Sequence, residues 1–242
     1  MEGICEVAIQ GGEEWVLFEN DFDDELTPEI LEFLSKYERI YFGDDFNQSV
    51  ENLPNSIKTI EFGNDFDQPI DHLSDSLTYL KLSDTFDQRV DNLPESLKTL
   101  IFGYGFDQPV DNLPESLTHL TFGDEFDQPV DNLPKSLTHL EFGERFNHPL
   151  NNLPKSITHL TIGDGFSKSL SVLPDSITHF KINGSFYDDC FDDYSAHHLP
   201  KSITHFTVTG HLNFVPSSVT HLCIESGINR SEIQNLPDTL KN

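Results

Sequence analysis

Basic side chains are scarce in this sequence: Lys and Arg together number 14 in 242 residues, against 42 Asp and Glu. The formal net charge is −28. Affinity for a nucleic-acid backbone rests on cations that displace counterions, so this surface argues against nucleic acid as a partner. The same shortage argues against an anionic lipid surface. A basic protein remains compatible with the charge, which otherwise serves solubility. Cysteine is also rare. Cys5, Cys190 and Cys223 are odd in number and far apart, which fits free thiols in a reducing compartment. No stretch approaches the roughly 18 apolar residues of a membrane span. The opening MEGICEVAIQGGEEW lacks the basic and apolar regions of a signal peptide, so a cytoplasmic location is expected. The motifs GxxxxGKS/T, HExxH, GxSxG and paired CxxC are absent. No catalytic residue and no cofactor is therefore assigned, and the metal status is left open.

Hydrophobic residues make up only 36% of the chain. That is little for one mixed core, but enough for a solenoid, in which each coil buries a thin strip against its neighbours. The arrangement supports this reading. Leucine recurs every 20 residues at Leu53, Leu73, Leu93, Leu113, Leu133, Leu153 and Leu173. Phenylalanine keeps the same period from Phe46 to Phe186, and an aliphatic column runs Val50, Ile70, Val90, Val110, Val130, Leu150, Leu170.

Within one coil, Leu117-Thr118-His119-Leu120-Thr121-Phe122 alternates as a short strand with Leu120 and Phe122 inward and His119 and Thr121 outward. The column Gly43, Gly63, Gly103, Gly123, Gly143, Gly163 and Asn183 then predicts a sharp turn at positive φ, with Ser83 the exception. Prolines such as Pro129 and Pro134 disfavour a long helix on the outer side, leaving extended or turn segments. The prediction is a leucine-rich-repeat-like solenoid with a parallel β-sheet on one face. Roughly ten coils about 4.8 Å apart would make a gently bent rod on the order of 45 Å long.

The unit LPxSLTHLxFGxxFxQPVxN, repeated from about residue 43 to 182, resembles the FNIP repeat family, a leucine-rich-repeat relative found in social amoebae and giant viruses. The 20-residue period is a compact variant of that family's slightly longer unit. The resemblance implies protein interaction and brings no catalytic residues with it. Some members are joined to F-box domains, which implies a ubiquitin-ligase component as one partner and substrate choice as one role.

Three segments follow. Residues 1–42 are read as an acidic cap: Cys5–Ile9 and Trp15–Phe18 as strands, Gln10-Gly11-Gly12 as a turn, and a short helix from Thr27-Pro28-Glu29 to about Lys36. Leu26–Leu31 loosely resembles the start of an F-box, but only one helix fits before Ile40. Residues 43–182 hold the regular repeats. Residues 183–242 are irregular, with an acidic insert near 186–198 containing Asp188, Asp189, Asp192 and Asp193. The insert stretches Leu173 to Leu199, and the next unit, Ile203 to Val219, is short. All three segments are expected to form one continuous solenoid domain.

Six histidines share one outward column: His119, His139, His159, His179, His205 and His221. Stacked imidazoles could sense protons near pH 6.5 or bind Zn²⁺ or Ni²⁺, yet metal ligands converge from several directions and a flat ladder does not. Duplication of a residue that stacks comfortably beside itself is the simpler explanation of the column. Two residues on, Glu61, Lys81, Ile101, Thr121, Glu141, Thr161 and Lys181 vary from coil to coil, which is where partner specificity could reside. Tyr79 and Ile101 are expected exposed as partner anchors, with Glu141 and the histidines beside them. The columns Asp71–Asp131 and Asn92–Asn152 are expected to satisfy backbone amides in the turns. Three functions remain: a protein-binding scaffold, an acidic protein that mimics nucleic acid or sequesters a basic partner, and an enzyme with its site in the insert or cap.

Overall fold

The computed structural model describes residues 3–184, 199–210, 212, 215–225, 237 and 240. The insert near 186–198 with its aspartates and Cys190, the Phe186 end of the phenylalanine column, and residues 226–236 near the C-terminus lie outside the described residues. The chain divides into two compact units, Met1–Gly123 and Asp124–Asn242.

The first unit opens with a hairpin. Strands β1 (Cys5–Gln10) and β2 (Glu13–Phe18) pair antiparallel, with Gln10 opposite Glu13. The two residues between them, Gly11 and Gly12, have φ of 60° and 86°. A two-residue turn needs positive φ at both positions to match the twist of the strands, and glycine supplies it without steric cost. Helix α1 (Pro28–Leu34) follows. Thr27 caps it, its Oγ1 accepting the Ile30 N–H at 3.4 Å, and Pro28 fits the first turn because its missing N–H would have had no partner there. Ile30 and Leu34 are buried. No second helix stands between β2 and the next strand, so an F-box bundle does not form here.

From that point the strands are parallel. β3 (Arg39–Phe42) lies beside β2, and β4 (Thr59–Phe62), β5 (Tyr79–Lys81), β6 (Thr99–Ile101) and β7 (His119–Thr121) follow in order. Each strand meets its neighbour with a shift of one repeat, so equivalent residues stand on the same rung: Ile60 pairs Leu80, and Leu80 pairs Leu100. The second unit repeats the scheme with β8 (His139–Glu141), β9 (His159–Ile162), β10 (His179–Ile182), β11 (His205–Val208) and β12 (His221–Ile224).

The inward columns form the core. In one coil Leu93, Leu97, Leu100, Phe102, Phe106 and Val110 are all buried, and the other regular coils bury the same positions. Phenylalanines stack from coil to coil: Phe46, Phe66, Phe86 and Phe106 have ring centroids 6.2 Å apart. Between Phe and Leu positions the chain runs through turns, and a bend closes each coil, with the Leu97 N–H donating to the Pro94 carbonyl at 3.0 Å and the Leu117 N–H to Pro114 at 3.1 Å. The predicted solenoid of parallel strands, with extended and turn segments opposite, is what these elements build.

The glycine column is there for a different reason from the one predicted. Gly43, Gly63, Gly103, Gly123 and Gly163 do not adopt positive φ. Coils instead approach so closely that a side chain has no room. A Cβ on Gly123 would lie 2.0 Å from the Gly103 carbonyl oxygen, and one on Gly163 2.0 Å from that of Gly143. At the exceptional position, Ser83 is buried and its hydroxyl donates to the Phe66 carbonyl.

Candidate functional site: the outward strand face

The strands alternate, so every second side chain leaves the core and faces outward. Parallel sheets are ordinarily covered on both faces. Here the outward residues of both units are half-buried or exposed.

In the second unit this face carries a histidine ladder. His139 stands beside His159, His159 beside His179, His179 beside His205 and His205 beside His221. The ring centroids are 4.1, 4.1, 4.1 and 4.2 Å apart, and the planes lie within 15° of parallel. Although 26 residues separate His179 from His205 and 16 separate His205 from His221, the rungs stay in register, so the irregular spacing is absorbed outside the sheet.

Threonine holds each ring. Thr138, Thr158, Thr178, Thr204 and Thr220 place Oγ1 2.9–3.0 Å from Nδ1 of the histidine that follows. The backbone fixes that threonine in turn: the N–H groups of Thr158 and His159 both donate to the Thr138 carbonyl, at 2.9 and 3.0 Å. The Thr158 hydroxyl lies 3.3 Å from the same oxygen. A hydroxyl has one proton and can accept as well, so it can serve either charge state of the imidazole. His205 sits with its pKa below the ordinary histidine value, first because the ring is partly desolvated and then because His179 and His221 flank it.

The next column on this face is Glu141, Thr161, Lys181, Thr207 and Cys223. Between the two columns lies a shallow depression of about 130 Å³, lined by His159, Thr161, His179, Lys181, His205 and Thr207. Lys181 Nζ lies 3.5 Å from Glu225 Oε2.

The first unit has the same face with other residues. Tyr79 stands opposite Thr99, Ile101 opposite Lys81, and His119 on the rung after Thr99. Tyr79 and Ile101 are half-buried rather than exposed as predicted, because neighbouring strands flank both side chains. Burial raises the Tyr79 hydroxyl pKa, helped by the charge of Glu61 and a hydrogen bond to it. Among the described residues, the large apolar side chains that are exposed lie elsewhere: Val7 and Ile9 on β1, Tyr104 and Val172.

Neither unit offers a metal centre among its described residues, where no group of three or more His, Cys, Asp or Glu is placed to hold an ion. Parallel imidazoles cannot aim their lone pairs at one point. No described helix is long and apolar enough to cross a membrane.

A further ladder, of Asp and Asn side chains, links the coils outside the strand columns. Asp67 Oδ1 accepts the Asp87 N–H and Asp87 Oδ1 the Asp107 N–H, at 3.0 and 2.9 Å, and Asn147 takes up the pattern with Ser167. This column satisfies backbone amides. Asp71, Asp91 and Asp131 accept from the side chains of Asn92, Asn112 and Asn152. The Phe-Asp-Gln triplet repeated in the sequence was the signal for it.

Comparison with known proteins agrees with the geometry. A solved structure described as CroV588, a novel circular leucine-rich-repeat protein, superposes with a TM-score of 0.79 at 36% identity over 97% of this chain. The chain spans 37% of that protein's length. No curated protein matches it. Residues 38–65, 46–74, 66–105, 106–145, 129–165 and 146–185 each match the FNIP Repeat, and the chain belongs to the FNIP repeat family.

Proposed function

We propose that the chain is a non-enzymatic scaffold that binds a protein partner through the outward face of its parallel strands. The observation that carries this reading is the contrast between the two faces of each strand. Inward positions are nearly constant because they fill a core. Outward positions two residues beyond the ladder change from Glu61 to Lys81 to Ile101 to Thr121, and from Glu141 to Thr161 to Lys181 to Thr207, although nothing beneath them depends on the choice. An open parallel sheet lined by changing side chains is a surface on which partner identity can be written.

Affinity capture with the full chain from the cells that make it tests this, using wild type and the double variant Thr161→Arg, Thr207→Arg. Bulky charge on the face should abolish recovery of the partner, while Asp131→Arg, in the turns away from the strands, should leave it intact. Equal recovery by all three proteins would sink the proposal. Recovery that collapses in high salt, whatever the face variant, would instead identify a basic protein held by the acidic surface.

A further inference from the structure

We infer that the histidine ladder of the second unit is a proton-gated docking surface for an acidic peptide segment of a partner protein, which it grips through carboxylates in mildly acid solution and releases at neutral pH. This deepens the strand-face reading and rests on it.

The first support is geometric. Each ring is fixed by its threonine at Nδ1 and stacks on its neighbours at 4.1–4.2 Å, so the surface exists before any partner arrives. In the charged form both nitrogens carry hydrogen. The Nδ1–H can then donate to the threonine Oγ1, while that hydroxyl turns its own proton toward the carbonyl of the preceding coil, 3.4 Å away for Thr178 and 3.3 Å for Thr220. Protonation therefore breaks no bond of the scaffold. On His179, His205 and His221 the charged Nε2–H, across the ring from the threonine, becomes a donor suited to a carboxylate.

The second support is charge. The second unit holds 8 Lys and Arg against 15 Asp and Glu, a net −7, together with 9 of the 11 histidines. Full protonation takes it to +2. The first unit holds 6 basic and 27 acidic residues, a net −21, and only His72 and His119. A change of pH thus changes the sign of one unit and hardly alters the other.

The groups around the ladder do not cancel this. On its own face stand Glu141, Lys181 and Cys223, with Lys181 close to Glu225. Four residues ahead of the rings, at the strand entries, are Lys135, Lys155, Asp175 and Lys201. Stacked cations repel, and His205 already resists protonation for that reason among others. A row of carboxylates laid along the rings relieves the repulsion, which is why an extended acidic segment suits the ladder better than an isolated anion.

The experiment measures fluorescence anisotropy of a labelled glutamate-rich peptide against the full chain at pH 5.5 and 7.5, at fixed ionic strength. An ordinary imidazole passes from about nine-tenths to one-tenth protonated across that range, so binding should weaken about tenfold or more. The triple variant His179→Gln, His205→Gln, His221→Gln should lose the acid-dependent binding. A second variant with permanent charge, His179→Lys with His221→Lys, should bind at both pH values. Binding that ignores pH, or survives the glutamines, overturns the inference. So does a wild type that gains mass at pH 5.5 with no peptide bound, because the occupant is then a second copy of the chain. If the peptide fails to bind while arginine at Thr161 and Thr207 still abolishes partner capture, the scaffold stands and only the proton gate falls.

Discussion

Two ladders of rings run through the second unit, one inside and one outside. Phe126, Phe146 and Phe166 stack in the core at 6.1 Å, and the five histidines stack on the face at 4.1–4.2 Å. Both come from the same 20-residue unit, yet different forces hold them. The phenylalanines are fixed by volume, because an interior packed to crystal density leaves one shape to fill. The histidines cover no core. Their spacing follows the strand rungs, and each orientation comes from one threonine hydroxyl. Repetition therefore means different things on the two sides: on the inside it is required by packing, and on the outside packing does not require it.

The inner ladder should be the easier to break. Phe146→Ala removes a fully buried ring that stacks on Phe126, Phe142 and Phe166, and should cost about 3–5 kcal/mol in urea denaturation. A loss under about 1 kcal/mol would mean the coils close over the gap and the core is not rigid. Gly163→Ala comes next. Its methyl group would meet the Gly143 carbonyl 2.0 Å away, and the obstacle is backbone that cannot swing aside, so about 3 kcal/mol is expected from the same measurement. Smaller again is Asn147→Ala, which strips the acceptor from the Ser167 N–H and hydroxyl at the coil rim, for about 1 kcal/mol. Asn147→Asp keeps the acceptor and should behave as wild type.

These effects follow from features of unequal legibility. The core could be read from the sequence because Leu, Phe and Val columns in phase every 20 residues have no other explanation than stacked coils. The cap was readable too: Gly11-Gly12 and Thr27-Pro28 are local signals, needing only neighbouring residues to act. Contacts between coils were less accessible. The glycine column suggested a turn, but its cause is a carbonyl one repeat earlier, and the chemistry of Gly123 alone does not report how near Gly103 comes. Likewise Asp67 and Asp71 are the same residue in similar turns. Only the register decides that Asp67 accepts the Asp87 N–H together with the Gln88 amide, whereas Asp71 accepts the side-chain amide of Asn92. On the face, the histidine column was plain, but the Thr–His contact and the half-burial of Tyr79 and Ile101 depend on how neighbouring strands flank each residue.

The smallest effect at neutral pH belongs to the outer ladder, and it grows as the solution is acidified. His205 has a folded-state pKa lowered by partial desolvation and by His179 and His221 on either side. An unfolded chain titrates this residue near 6.5. Above that value both states are neutral and His205 leaves stability unchanged. As pH falls through about 6.5 toward the lowered value, the unfolded chain takes up the proton first, so the folded state loses ground. Carboxylates titrate near 4, which leaves pH 7 to 5.5 as a window dominated by imidazole. His205→Gln should match wild type in urea midpoint at pH 8 and fall less steeply across that window, because the substitution also separates His179 from His221. Parallel curves for the two proteins would show that the outer rings do not repel one another. Should the curves diverge, the glutamate-rich peptide added at pH 5.5 ought to raise the wild-type midpoint more than the variant's, because the wild type has more repulsion to relieve. The repulsion that weakens the outer ladder when it is charged is then the same interaction that a carboxylate partner relieves.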